Sequence, residues 1–260
     1  MKRPTTFLML LIVASILLFF LLNLLLGSVS IPLRSVWSIL WGSTDESVIW
    51  QNIIWKSRVP QALTALVAGA GLSISGLQMQ TVFRNPLAGP SVLGISSGAS
   101  LGVAFVVLLS GALGGVALSK LGYMGEVALS IAAIVGALSV MALIVYVSQK
   151  VKGNVTLLII GVMIGYVASA IIGVLKYFSV EEDIRAYVIW GLGSFARVSG
   201  DQMFLFVSIM AVLIPLSFLL IKTMNLMLLG DGYARNLGLN IKRARLLVIS
   251  CSGVLVAIVT

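Results

Sequence analysis

Seven apolar runs, each about as long as a helix that crosses a membrane, most constrain what this chain can fold into. The runs are continuous, whereas the strands of a membrane barrel are short segments of alternating polarity. We therefore predict an all-α, polytopic integral membrane protein that forms a single domain over residues 1–260. The predicted helices span residues 7–26, 60–83, 91–109, 127–147, 155–178, 203–222 and 246 onwards.

Composition excludes several classes of function. The chain is 60% hydrophobic and 10% charged, which is outside the range of soluble domains. It has no histidine, and its one cysteine, Cys251, lies in an apolar run, so we predict no catalytic, cofactor or metal site. Ionisable residues are almost absent from the centres of the apolar runs. This disfavours an ion-coupled secondary transporter or channel, which usually needs such groups, and also a polytopic membrane enzyme.

The basic residues indicate a topology rather than a nucleic-acid partner. They are scattered between the apolar runs and form no basic face with interleaved aromatic residues. If the amino terminus is cytoplasmic, inner segments hold ten of the 17 basic residues and one of the eight acidic ones; the outer segments hold seven of each. The inner excess agrees with the positive-inside rule.

Two polar intervals between the runs receive separate interpretations. Residues 28–57 contain four of the five tryptophans, which is typical of a segment lying along the membrane surface. The three acidic residues 181–183 suggest either a metal site or a solvated charge run. We favour the charge run, because consecutive side chains rarely converge on one ion.

Small residues dominate two of the predicted helices. Gly94, Gly98 and Gly102 recur every fourth residue, which predicts three close contacts on one helix face. A second stripe, with the same spacing, follows in the fifth run: Gly161, Gly165, Ser169 and Gly173. We interpret Gln78 and Gln80 as hydrogen-bonding to neighbouring helices, with a pore-lining role as the alternative.

The hydrophilic interval 223–245 contains a candidate short helix. Asp231 is expected to cap it, and Gly238 to end it in a left-handed conformation. Such a helix can dock into a partner's groove. By spacing alone, a basic loop held by lipid headgroups is an equally good interpretation.

Several motifs together resemble one known family. They are Arg58-Val59-Pro60, Gly76-Leu77-Gln78-Met79-Gln80, Arg84-Asn85-Pro86-Leu87-Ala88, Leu93-Gly94-Ile95-Ser96-Ser97-Gly98-Ala99 and Trp190-Gly191-Leu192-Gly193-Ser194. Together with the interval 229–245, they resemble the iron-chelate and cobalamin uptake permeases of bacterial ABC transporters, over nearly the whole chain after Gly27.

The resemblance implies a function and a set of partners. It implies a multi-pass permease of the bacterial inner membrane that imports a ferric siderophore, haem or cobalamin, and is not itself an enzyme. ATP hydrolysis would take place in separate cytoplasmic ATP-binding subunits. The other partners would be a second permease copy forming a homodimer, a periplasmic or lipoprotein substrate-binding protein, and membrane lipid, with no nucleic acid.

The resemblance also assigns roles to residues. The coupling segment within 223–245 would contact the ATPase through Asp231, Tyr233, Ala234, Arg235, Leu237 and Gly238. Helix packing or the translocation path would use Gly76, Gln80, Asn85, Pro86, Gly94, Gly98 and Gly102. Small-residue stripes would let helices slide at low steric cost when ATP drives the change between outward-open and inward-open states.

Two features depart from the family pattern. The outer Arg-x-Pro-Arg motif, whose arginines dock the binding protein in relatives, has Arg58 at its first position but Gln61 at its fourth. Seven helices are visible where the family has ten, so we expect an incomplete copy of a longer chain.

Overall fold

A computed structural model describes residues 3–42, 46–112, 123–151, 154–198 and 200–260. These residues form twelve α-helices and no strand. The helices are α1 (Arg3–Leu25), α2 (Leu33–Leu40), α3 (Val48–Ile53), α4 (Val59–Phe83), α5 (Ile95–Ala112), α6 (Tyr123–Lys150), α7 (Asn154–Tyr177), α8 (Glu181–Gly191), α9 (Gly200–Phe218), α10 (Ile221–Leu228), α11 (Asp231–Asn236) and α12 (Ile241–Val259). Lys2, Asp45, Lys120 and Lys152, which contribute to the predicted charge asymmetry, lie outside the described residues.

All seven predicted membrane helices are present, as α1, α4, α5, α6, α7, α9 and α12. In the part of the chain that the structure describes, five helical segments are long and apolar enough to cross a membrane: Thr5–Leu25, Val48–Phe83, Met124–Lys150, Val155–Tyr177 and Gly200–Phe218. Ile95–Leu109 is a shorter apolar helix. An apolar chain in lipid must satisfy its backbone polar groups internally, and a helix does this within one segment.

Several predicted boundaries are wrong. The sixth predicted helix ends at Phe218 rather than residue 222, and a separate helix, α10, follows it. The last helix begins at Ile241, five residues earlier than predicted, because Asn240 caps it by accepting a hydrogen bond from the Arg243 N–H at 3.1 Å. The polar interval after α7 contains the helix α8.

The tryptophan-rich interval, residues 28–57, does not form one helix. Its first part forms the short helix α2, whereas its second part, α3, continues through a π-helical turn, Ile54–Arg58, directly into α4. The result is one uninterrupted helical segment, Val48–Phe83. The second half of this interval is therefore continuous with α4, and its location at the membrane surface stays a prediction.

Contacts divide the chain into two compact units. One comprises Met1–Ala68 and Ser194–Ile209, and its core is formed by Leu24, Ile31, Val36, Ile39, Ile54 and Ala62. The other comprises Gly69–Gly193 and Met210–Thr260. In this second unit α5 is central, because it packs against α6, α7, α8 and α12.

Candidate functional site

The contact between α5 and α6 is made through bare glycine backbone. A Cβ atom added to Gly98 would lie 2.7 Å from the Gly136 carbonyl oxygen, and one added to Gly136 would lie 3.0 Å from the Gly102 Cα. A Cβ on Gly102 would collide with the Ala132 carbonyl oxygen. Real Cβ atoms are essentially never so close to other atoms. The two backbones therefore touch, as expected for small residues at helix contacts in lipid.

Gly94 does not share a helix face with these two glycines, so the prediction of one three-glycine face is wrong. Residues Pro90–Leu93 form a 3₁₀ turn, and Gly94 ends it with φ +71° before α5 begins. A Cβ on Gly94 would lie 2.9 Å from the Gly161 carbonyl oxygen. Gly94 therefore faces α7, whereas Gly98 and Gly102 face α6.

The turn after α4 is held by its own polar groups. The Gln80 side chain donates to the Pro86 carbonyl at 3.1 Å, and the Asn85 side-chain oxygen accepts from the Leu87 N–H at 2.9 Å. The interpretation that Gln80 bonds a neighbouring helix is therefore wrong. Gly76 makes no close backbone approach, because a Cβ there would meet Pro90 Cδ at an ordinary 3.8 Å.

Polar side chains join α4 to α12, as predicted for Gln78. The Gln78 amide nitrogen lies 3.5 Å from the Cys251 sulfur, and its Oε1 is buried with no partner among the described residues. Ser75 and Ser252 are fully buried and share a hydrogen bond of 2.6 Å between their hydroxyl oxygens. Sequence reasoning missed this pair, whose signal was two hydroxyls in otherwise apolar runs.

Arg58 is buried, and its side chain forms hydrogen bonds within the chain. Its side chain is 5% exposed, and its guanidinium donates to the carbonyls of Leu24 at 2.6 Å, Leu25 at 3.0 Å, and Val29. The Leu24 and Leu25 carbonyls lie in the last turn of α1, where helical partners are missing, and the Val29 carbonyl lies just after the helix. The prediction that Arg58 presents its charge to a binding protein is therefore not compatible with this arrangement.

The predicted short helix in 223–245 exists as α11. Gly230 rather than Asp231 occupies its N-cap position, and no side chain caps it, so the capping role of Asp231 is wrong. Its end is as predicted: Gly238 has φ +87°, its N–H bonds the Arg235 carbonyl, and the Leu239 N–H bonds the Ala234 carbonyl. This is a Schellman motif, which stops the helix abruptly.

One face of α11 is buried and the other is open. Ala234 is fully buried, whereas Tyr233 and Leu237, one helical turn apart, are 73% and 62% exposed. Leu228 and Leu229, just before α11, are also exposed. We call Leu228, Leu229, Tyr233 and Leu237 the α11 apolar surface. Arg235 lies on the same helix and is exposed.

Asp231 lies between two arginines. One carboxylate oxygen, Oδ1, pairs with Nη2 of Arg84 in the turn after α4. The other, Oδ2, lies 3.8 Å from Nη2 of Arg245 in the first turns of α12. Arg84 has φ +48° and is the only non-glycine residue with a positive φ in the part of the chain that the structure describes.

A hydroxyl-lined groove runs between α5 and α7. It encloses about 400 Å³ and is lined by Ser96, Ser97, Ser100, Ser169, Ile172, Gly173, Lys176 and Tyr187. The Lys176 ammonium lies 4.8 Å from the centre of the Tyr187 ring. Burial raises the pKa of Tyr187, and its hydrogen bond with Ser100 acts in the opposite direction. The predicted stripe Gly161, Gly165, Ser169 and Gly173 contributes to this groove and to a smaller cavity of about 240 Å³ beside it.

The prediction of a solvated charge run at residues 181–183, the start of α8, is wrong for Asp183. Asp183 is 7% exposed and its Oδ2 has no partner among the described residues, whereas Glu181 and Glu182 are exposed. Within the described ranges, no three Cys, Asp or Glu side chains are arranged to hold a metal ion.

The helical fold, with several segments long and apolar enough to cross a membrane, defines the class of multi-pass membrane proteins. Residues 15–260 match the FecCD transport family, and the chain belongs to that family. The predicted family and the all-α, polytopic membrane fold are thereby confirmed.

Individual relatives and a solved structure agree with this assignment. The hemin transport system permease protein HmuU of Yersinia pestis is 33% identical over 89% of this chain and 66% of its own length. The vitamin B12 import system permease protein BtuC of Serratia proteamaculans is 35% identical over 88% of this chain and 65% of its own. The chain thus spans slightly less than two thirds of these relatives. A metal-chelate type ABC transporter, solved in an inward-facing conformation, superposes with a TM-score of 0.76 at 28% identity, covering 99% of this chain and 75% of its own.

Proposed function

We propose that the chain is the membrane-spanning permease subunit of an ATP-driven importer in a bacterial inner membrane. The cargo class is a ferric siderophore, haem or cobalamin, and the amino terminus is cytoplasmic. ATP is hydrolysed in separate cytoplasmic subunits, and a second permease copy and an external substrate-binding protein complete the assembly. Family membership and the names of the relatives, a haem permease and vitamin B12 permeases, support this proposal.

The α11 apolar surface carries the proposal. A short helix that buries Ala234 and ends in a Schellman motif is rigid, and it leaves Tyr233 and Leu237 exposed side by side. An exposed tyrosine beside a leucine is well suited to fill a partner's pocket, because aromatic anchors contribute most at protein interfaces. We assign this surface to contact with the ATPase subunit, together with the exposed Arg235.

We assign the groove between α5 and α7 to the translocation path, as one part of it. Its lining mixes hydroxyl and small side chains with one ammonium group, at Lys176. Such a surface offers weak hydrogen bonds to a polar cargo without binding it tightly. Of the residues predicted for packing or the path, Gly94 borders the smaller cavity beside it, whereas Gly98 and Gly102 serve helix packing.

Co-purification with the ATPase tests the assignment of α11. The full-length permease is purified from native membranes, and the amount of ATPase subunit retained is compared between Tyr233→Ala and Tyr177→Ala. Tyr177 is a matched control, because it is also exposed but lies at the end of α7. Loss of an interface tyrosine costs about 1.4 kcal/mol or more, so we expect at least a tenfold weaker association for Tyr233→Ala only.

Two outcomes would contradict the proposal. If the native permease never retains an ATPase subunit, the chain is not an ABC permease, and transport without ATP must be measured in vesicles. If both tyrosine variants retain the ATPase equally, α11 is not the contact surface.

A further inference from the structure

Asp231 connects three elements that are far apart in the sequence. Its two carboxylate oxygens face Arg84, in the turn after α4, and Arg245, in α12. Arg84 and Asp231 are 147 residues apart. The helix α11 otherwise packs on its sequence neighbours α10 and α12. The Arg84–Asp231 ion pair is therefore a direct link between α11 and the end of α4.

Stability alone does not account for this link. The side chains of Arg84 and Asp231 are 38% and 41% exposed, and ion pairs at such exposed positions contribute little to folding. Arg84 nevertheless keeps a left-handed backbone, which non-glycine residues adopt only at an energetic cost. That conformation ends α4, where the Asn85 N–H bonds the Gln80 carbonyl at 3.2 Å, and from this position the Arg84 side chain contacts Asp231.

Arg245 fixes the carboxylate from the other side. Its side chain is 9% exposed, and its Nε has no partner among the described residues. A buried guanidinium retains a nearby anion, because separating them leaves an uncompensated charge. Asp231 is therefore held at the start of α11, where it remains available to Arg84.

We propose that Asp231 is a positioning residue that transmits movement of α11 to the turn after α4. The inference rests on the proposed function, in which α11 contacts an ATPase subunit, and takes that subunit to displace α11 when it binds ATP. Because the Schellman motif and the burial of Ala234 make α11 rigid, the helix moves as one body, and Asp231 moves with it. The ion pair then moves Arg84 and the turn Arg84–Leu87, so that the end of α4 responds to ATP.

A spin label in the turn tests this transmission. The label is placed at Leu87→Cys, a position that is 87% exposed, in a Cys251→Ser background of the full-length permease with its ATPase subunits in nanodiscs. Electron paramagnetic resonance spectra are compared with and without ATP and vanadate. We expect a spectral change in the parent that falls at least fivefold in Asp231→Asn.

Three further variants separate transmission from folding or docking. Lys222→Gln removes an exposed charge from α10 that makes no ion pair among the described residues, and should respond like the parent. Arg84→Gln breaks the same link without altering α11 and should lose the response. Arg84→Lys keeps a positive charge and should retain it.

The outcomes distinguish this inference from the proposed function. A full spectral response in both Asp231→Asn and Arg84→Gln would overturn the inference while leaving the ABC assignment intact. A parent complex that hydrolyses ATP without any change at Leu87 would do the same. A parent permease that binds no ATPase subunit would overturn the proposed function, and the inference with it.

Discussion

Gly136→Ala tests whether α5 and α6 touch through backbone. The new methyl group would collide with the Gly98 carbonyl oxygen and lie 3.0 Å from the Gly102 Cα, so the helices must separate by roughly 1 Å. Overpacking of this kind costs about 1–3 kcal/mol. Alanine is a better helix former than glycine by about 1 kcal/mol, which offsets part of that cost. The expected result is a net loss of up to about 2 kcal/mol.

Gly69→Ala is the matched control. Gly69 lies within α4, and a Cβ there would have no atom within 4 Å. Only the helix-propensity gain of about 1 kcal/mol applies, so this variant should be more stable than the parent. The free energy of unfolding is measured by titrating SDS into mixed micelles of the full-length permease and following circular dichroism. If Gly136→Ala is as stable as Gly69→Ala, the close backbone contact does not exist.

Two further variants test Arg58 and the groove. Arg58→Met leaves three backbone carbonyls without their donor and should lower the free energy of unfolding in the same SDS titration by about 3 kcal/mol or more. Lys56→Met, which replaces an exposed residue on the same turn, should change that free energy little. Equal effects of the two variants would refute the structural role of Arg58. In a Cys251→Ser background, Ser169→Cys should react with a water-soluble methanethiosulfonate at least ten times faster than Ile171→Cys, since only Ser169 lines the groove. Similar rates would show that the groove is not an aqueous path.

The long helices could be predicted because lipid leaves an apolar run of about 20 residues few alternatives to a helix. The end of α11 could also be predicted, since Gly238 is the residue that tolerates a left-handed C-terminal position. The packing of Gly94 against α7 could not be predicted. Its spacing from Gly98 fits one helix face, but the 3₁₀ turn that begins at Pro90 places Gly94 before α5 rather than in it.

Long-range partners account for the other errors. The role of Arg58 depends on carbonyls at the end of α1, about 30 residues earlier, and no local pattern indicates that they face it. Asp231 has the residue type and position of a helix cap, yet its carboxylate forms ion pairs with Arg84 and Arg245 instead. An arginine or aspartate beside a helix end thus has several possible partners, and tertiary packing decides between them.

The two sides of α5 differ in how much movement they permit, which limits how the proposed permease can switch. On the α6 side, Gly98, Gly102 and Gly136 leave no room for a methyl group, so sliding α6 along α5 would drive neighbouring side chains into backbone. Small-residue stripes therefore do not lower the cost of sliding here; they hold α5 and α6 together.

On the α7 side, a groove of about 400 Å³ leaves space for side chains to change rotamer. We expect α5 and α6 to move as one unit, with the groove-lining part of α7, residues 169–176, moving against them, since Gly161 at the other end of α7 packs closely on Gly94. Destabilisation by Gly136→Ala, together with reactivity of Ser169→Cys that changes when vanadate traps the ATPase, would support this division. Unchanged reactivity of Ser169→Cys would oppose it.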